Sequence, residues 1–211
     1  MLLEPVALAK LVAEMRAHGA HTLLLYGSHA RGDATAESDV DVAAFADVPE
    51  TYRDARLFEG VFLDAFIYPT SLAESAPTEE LLKLGGSHVL IDDRGLAAPL
   101  LERVAELESA PVEPLPDHEV QTRRVWARKM VERIARGDIE AHYRRHWLLF
   151  QLLEDHYAIE ARRYPGPKRA FSDLSSRAPE TFAAFDRALA PDAPLEAIER
   201  LVDHLERALT P

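Results

Sequence analysis

The chain has 211 residues, with 24 Lys and Arg against 36 Asp and Glu, a formal net charge of −12. Hydrophobic residues make up 47% and charged residues 28%, the composition of a folded protein rather than a disordered one. There is no cysteine, which excludes a disulfide scaffold, a thiolate zinc site, an iron–sulfur cluster and a cysteine nucleophile. No apolar run approaches the ~20 residues that span a bilayer, and Met1-Leu-Leu-Glu-Pro lacks the features of a signal peptide, so the expectation is a cytoplasmic protein without a membrane partner. The acidic balance argues against broad nucleic-acid binding through phosphate neutralisation, though not against one nucleotide held in a local pocket.

Residues 5–18 read as an amphipathic helix with Val6, Leu8, Leu11, Val12 and Met15 on one side, stopped by Gly19. Leu23 to Tyr26 reads as a buried strand, broken by Gly27 to Gly32. Val40 to Phe45, entered through Asp39, reads as a second strand, and Val61 to Tyr68, ended by Pro69, as a third. Between them Thr51 to Phe58 reads as helical. His88 to Ile91 is a short fourth strand, preceded by a turn at Gly85-Gly86-Ser87, and Leu96 to Leu107 returns to helical spacing.

Ala110-Pro-Val-Glu-Pro-Leu-Pro116 cannot continue a helix, because its prolines lack amide donors. Beyond it, helical patterns cover about 118–136, 139–163, 168–176, 179–190 and 193–209, with Asp117 as a cap and no strand pattern. The expected organisation is α+β: a small mixed β-sheet domain flanked by helices over 1–110, then an all-α bundle over 117–211.

The stretch Leu23-Leu-Leu-Tyr-Gly-Ser-His-Ala-Arg-Gly, running on to Ser38-Asp-Val-Asp41, carries chemistry. A strand that runs into Gly27-Ser28 and then a helix offers free amides and a hydroxyl to a phosphate. Asp39 and Asp41 are two residues apart, so a strand would put both carboxylates on one face while Val40 and Val42 enter the core. Paired hard oxygen ligands suit magnesium and leave room for substrate phosphates. A further acid, Asp64, lies in the next apolar strand, where an unpaired carboxylate is costly. Glu59, Asp54 or a structural salt bridge at Asp64 are the alternatives. A phosphate cradle beside a magnesium platform implies phosphoryl or nucleotidyl transfer.

With Gly27-Ser28, Asp39-Val40-Asp41 and Asp64, the chain resembles the nucleotidyltransferases of the DNA polymerase β superfamily. The form Gly-Ser-His-Ala-Arg-Gly followed by Ser-Asp-Val-Asp resembles the bacterial minimal nucleotidyltransferases, and the superfamily also includes aminoglycoside nucleotidyltransferases. The resemblance covers residues 20–70 and extends weakly to about 107. It implies a small mixed sheet, a two-metal magnesium site on Asp39, Asp41 and Asp64, and a triphosphate contact from Ser28.

Arg31 either reaches the triphosphate or pairs with Glu37 or Asp39. His29 reads as an exposed loop residue. Lys168 follows Tyr164-Pro-Gly-Pro167, where a lysine contacts a triphosphate or merely starts a helix. Arg123, Arg124, Arg128, Lys129 and Arg133 crowd one helix, as a solvated face or a charge match to the acidic first domain. The resemblance to aminoglycoside nucleotidyltransferases implies a general base from the helical domain, for which Glu154 or Asp155 is the candidate; the alternative is an acid on an exposed stripe.

The expected reaction moves a nucleoside monophosphate, AMP first, from ATP or another nucleoside triphosphate to a hydroxyl of a small molecule. An aminoglycoside-like cation would suit the net charge, and a homodimer is compatible with the sequence. The alternatives are an antitoxin-type enzyme that adenylylates a protein, and a non-catalytic nucleotide-binding module.

Overall fold

The structure, a computed structural model, describes residues 5–208 and divides between Ala110 and Pro111 into two compact units. The N-terminal unit runs α1 (Pro5–Ala17), β1 (Thr22–Tyr26), α2 (Gly27–Arg31), β2 (Val40–Ala46), β3 (Tyr52–Phe58), β4 (Val61–Pro69), α3 (Thr70–Glu74), a 3-10 segment (Glu79–Leu84), β5 (His88–Asp92) and α4 (Ala97–Ser109). The strands form one mixed sheet in the order β3-β4-β2-β1-β5. Only β2 and β4 are parallel; the other neighbours are antiparallel.

Strand alternation decides what each face carries. Leu23 and Leu25 of β1, Val40, Val42, Ala44 and Ala46 of β2, and Leu63, Ala65 and Ile67 of β4 pack with Leu11 and Met15 of α1. Leu24, Tyr26, Ala43, Phe45 and Tyr68 belong to the opposite face, packed with Leu81, Leu84 and the α4 residues Ala97, Leu100 and Val104. Side chains two residues apart in a strand share a face. Asp41 therefore lies on the face of Ala43 and Phe45, and Asp64 on that of Phe66 and Tyr68. The Val40 and Val42 side chains enter the core, as the sequence predicts.

The segment read as helical, Thr51 to Phe58, is corrected: Tyr52–Phe58 is the edge strand β3. It pairs along its length with β4 through a two-residue turn, Glu59-Gly60, with φ of 48° and 84°. Two successive positive-φ residues give the tight hairpin whose twist suits antiparallel strands. As an edge strand, β3 buries only its final residue, Phe58, so its charged pattern of Arg53, Asp54 and Arg56 carried no strand-like alternation of apolar residues.

Beyond Pro116 the described residues are helical: α5 (Asp117–Ile134), α6 (Ile139–Ile159), α7 (Pro167–Arg177), α8 (Pro179–Leu189) and α9 (Leu195–Ala208). Asp138 caps α6 by accepting a hydrogen bond from the Ala141 amide at 2.8 Å. The five helices share one core that includes Met130, Leu148, Leu152, Tyr157, Leu174, Phe185 and Leu201. The fold class is thus α+β, a mixed sheet with helices followed by a helical region. Among the described residues no helix is long and apolar enough to cross a membrane.

The basic residues of α5 are partly spent inside this unit. Arg123 bonds Asp155 of α6, and Arg128 pairs with Asp203 and Glu206 of α9. Asp92 and Asp93 are structural too. Asp92 Oδ1 accepts hydrogen bonds from the Leu96 and Ala97 amides at 2.8 and 3.2 Å, capping α4, while Asp93 holds Arg16.

Candidate active site

The site begins where β1 ends. Tyr26 is extended (φ −127°), and Gly27 turns the chain with φ +71° into the single helical turn of α2. That backbone conformation is open to glycine and strained for other residues. Space forbids a side chain as well: a Cβ on Gly27 would stand 2.1 Å from Asp41 Oδ2. The Gly-Ser turn is therefore packed directly onto the Asp41 carboxylate. Ser28 follows, half-buried, at the first turn of α2.

The sheet register brings the acids together. Tyr26 of β1 and Asp64 of β4 lie opposite Asp41 on its two sides. Asp39 is exposed and lies one residue before β2, at the same end of that strand. Burial, then the charges of Asp64 and Asp39, push the Asp41 carboxyl up to about 6. Arg31 and Lys83 oppose that rise. Arg31 itself is paired with Asp33 at 3.4 Å.

Asp64 has a partner. Arg53, next along the sheet face on β3, donates from Nε and Nη2 to its two oxygens at 2.6 and 2.8 Å, and stacks 5.3 Å from the Phe66 ring centre. Lys83, from the 3-10 segment, sets its ammonium 3.5 Å from the same ring centre, with Tyr26 and Tyr68 at 5.6 and 5.7 Å. Burial lowers the Lys83 pKa, against the pull of Glu80, Asp64 and Asp41. The face thus holds Asp41 and Asp64, flanked by Arg53 and Lys83 on an aromatic shelf.

Could these residues hold a divalent cation? Asp41 and Asp64 lie side by side, and the charge of Asp64 raises the proton affinity of Asp41, so a cation placed there would relieve repulsion. The donor set of Asp39, Asp41 and Asp64 has the hard oxygens that magnesium takes. In this arrangement, however, no three His, Asp or Glu side chains among the described residues are close enough to hold one ion together. Asp64 has both oxygens on Arg53 instead.

Gly27, Ser28, Asp41 and Asp64 come together at one end of the sheet. Lys168 is an exposed residue at the second position of α7, in the helical unit. Asp155 is buried and bonded to Arg123 and Gln151, not on an exposed stripe; Glu154 is half-buried. His29, read as exposed, is buried at 5%, and neither ring nitrogen has a hydrogen-bond partner. Sequence reasoning missed Arg53 and Lys83 as site residues. The signal for Arg53 lay in reading β3 as a strand. Lys83 stood out only as one of four lysines.

The helical unit has its own concave surface, an open pocket of about 420 Å³. The chain's two tryptophans, Trp126 and Trp147, form an edge-to-face pair with ring centres 5.5 Å apart, and both line the pocket with Glu119, Gln151 and Asp155.

Comparison with known proteins agrees with the N-terminal geometry. Residues 8–88 match the family model described as a nucleotidyltransferase domain. The match lies within the N-terminal unit and supports a nucleotidyltransferase-like domain there. Among solved structures, a nucleotidyltransferase-like protein from Exiguobacterium sibiricum 255-15 is similar at 13% identity and a TM-score of 0.43, over 96% of this chain and 73% of that one. The search of curated proteins found no match.

Proposed function

We propose that the N-terminal unit is a magnesium-dependent enzyme that transfers a nucleoside monophosphate, AMP in the first instance, from a nucleoside triphosphate to a hydroxyl of a small molecule. One observation carries the reading: the Gly27-Ser28 turn is packed against Asp41, and Asp41 faces Asp64 across parallel strands. A phosphate cradle thereby abuts a carboxylate pair.

Asp39 and Asp41 would hold the cation, with Asp64 beside Asp41 across the parallel strands. The bound metal supplies Lewis acidity and charge neutralisation at the triphosphate. Ser28 and the α2 amides hold phosphate oxygens. The acceptor oxygen bonds to the α-phosphorus, the bond from that phosphorus to the α–β bridging oxygen breaks, and its electron pair leaves with pyrophosphate. The hydroxyl proton passes to the Asp64 carboxylate.

The test is incubation of the full chain with each α-labelled nucleoside triphosphate, magnesium and a panel of polyol and amino-sugar acceptors, scoring labelled product and pyrophosphate. Transfer that is lost in Asp41→Asn and on removal of magnesium is the expected result. Absence of transfer and of nucleotide binding with all four donors would overturn the reading.

A further inference from the structure

Lys83 stands out among the cations of the N-terminal unit. The 3-10 segment that carries it is anchored by Leu81 and Leu84, at 1% and 0% exposure. Lys83 itself is half-buried over Phe66, between Tyr26 and Tyr68. It makes no ion pair within 4 Å among the described residues. Its segment neighbour Glu80 accepts a hydrogen bond from the Tyr68 hydroxyl at 3.0 Å.

An ammonium taken partly out of water without a counter-ion is costly, and an aromatic face repays only part of that cost. A lysine needed only for packing would extend its head to water. This one is held over the ring of Phe66, two residues from Asp64 on the same face of β4. The shelf of three rings fixes the stem, so little side-chain entropy remains to be lost on meeting an anion. The acids cannot be its intended partners, since Arg53 occupies Asp64 and Asp41 stays out of ion-pair distance. The remaining partner is an anion brought to this face, and the face receives a triphosphate.

We propose that Lys83 is a donor-binding residue that contacts the polyphosphate of the nucleotide and carries part of the charge that develops on the departing pyrophosphate. This rests on the nucleotidyl-transfer reading above and adds to it a residue that the Gly-Ser and Asp-x-Asp pattern does not contain. Preorganised cations aimed at developing charge lower a barrier without reorganising during the step. Lys83 is prepared in that way by its aromatic shelf.

The experiment is calorimetric titration of the full chain with the magnesium complexes of the four α,β-methylene nucleoside triphosphates, which cannot be cleaved at that bond. Wild type, Lys83→Met and Lys83→Arg are compared, each with its melting temperature and its affinity for magnesium alone. Lys83→Met keeps the aliphatic stem over the rings and removes the charge. The expected result is a dissociation constant raised roughly tenfold or more in Lys83→Met, as for loss of a charge-assisted phosphate contact. Most of that loss returns in Lys83→Arg, with melting temperature and magnesium affinity unchanged. Equal analogue affinity in wild type and Lys83→Met overturns the proposal. So does a loss matched by a fall in melting temperature and not rescued by arginine, which would make Lys83 structural. A wild-type chain that binds none of the four analogues overturns the nucleotidyl-transfer reading itself, and this proposal with it.

Discussion

Arg53 grips the carboxylate of Asp64 through two hydrogen bonds, 2.6 and 2.8 Å long, so the third acid of the expected triad is already neutralised by the protein itself. The contact joins the edge strand to its neighbour. It also sets a positive charge against Asp64 beside Asp41. Replacing Arg53 by Met leaves Asp41 and Asp64 repelling each other. The expected outcome is a lower melting temperature in EDTA and a larger rise on adding magnesium than wild type shows. Differential scanning fluorimetry in both conditions checks it. An equal magnesium response in the two proteins would remove Asp64 from the proposed metal site.

Gly27→Ala is expected to damage the site more than an ordinary turn substitution would. The left-handed backbone costs a non-glycine residue about 1–2 kcal/mol. The new methyl also needs the space of Asp41 Oδ2, so the carboxylate must move. Stability measured in urea should fall by at least that amount, and nucleotide affinity should fall with it. An alanine variant with unchanged nucleotide affinity would mean that the turn does not set the position of Asp41.

Asp41 gives a pH dependence of known sign. Its carboxyl is pushed up to about 6, by burial first and then by Asp64 and Asp39, against an ordinary value of 3.8. The folded form thus binds the proton more tightly than the unfolded chain does. The metal-free protein should lose stability as pH rises from about 4 to 6, with the penalty fully present above 6. Asp41→Asn should therefore be more stable than wild type at pH 7.5 in EDTA, by ~1 kcal/mol after allowance for partial exposure, and the gain should fade towards pH 4. Urea midpoints of the two proteins at several pH values test this. A gain that does not change with pH would refute the assignment.

His156 gives the opposite sign in the helical unit. It is 2% exposed, and neither ring nitrogen has a hydrogen-bond partner. Glu160 Oε1 lies 3.5 Å from its Nε2 but outside hydrogen-bond geometry. Burial lowers the pKa from the ordinary 6.5, with Arg177, His204 and Arg162 acting the same way and Glu160 against them. The unfolded chain then takes up the proton first, so stability is lost as pH falls below about 6.5. His156→Leu should flatten that decline, leaving the variant the more stable protein relative to wild type at pH 5.5 than at pH 8. His21, whose pKa is also lowered by burial, supplies a background that both proteins share. Parallel pH profiles for the two would show that His156 does not contribute.

The sequence by itself determined the parts written in local chemistry. Gly27 must turn a strand into a helix, Val40 and Val42 must enter a core, and strand periodicity puts Asp41 on the opposite face from those valines, whereas Asp39 lies just before β2. Those residues lie within twenty positions of one another, so a single strand–turn–strand pattern carries them. The prolines after Ala110 and the helical periodicity beyond them are local signals of the same kind. Tertiary structure decided what depends on register. That Asp64 faces Asp41, that Arg53 holds Asp64, and that Lys83 stands on Phe66 each require strands and a 3-10 turn far apart in sequence to align. Pairing energy and core packing set that alignment, and no residue pattern encodes it locally. Edge position explains the misreading of Tyr52–Phe58, since an edge strand that buries only its last residue has no need of alternating apolar side chains. Burial of His29, Asp155 and His156 was likewise decided by which helices and strands came to lie over them, which is a property of the assembled core and not of the residues themselves.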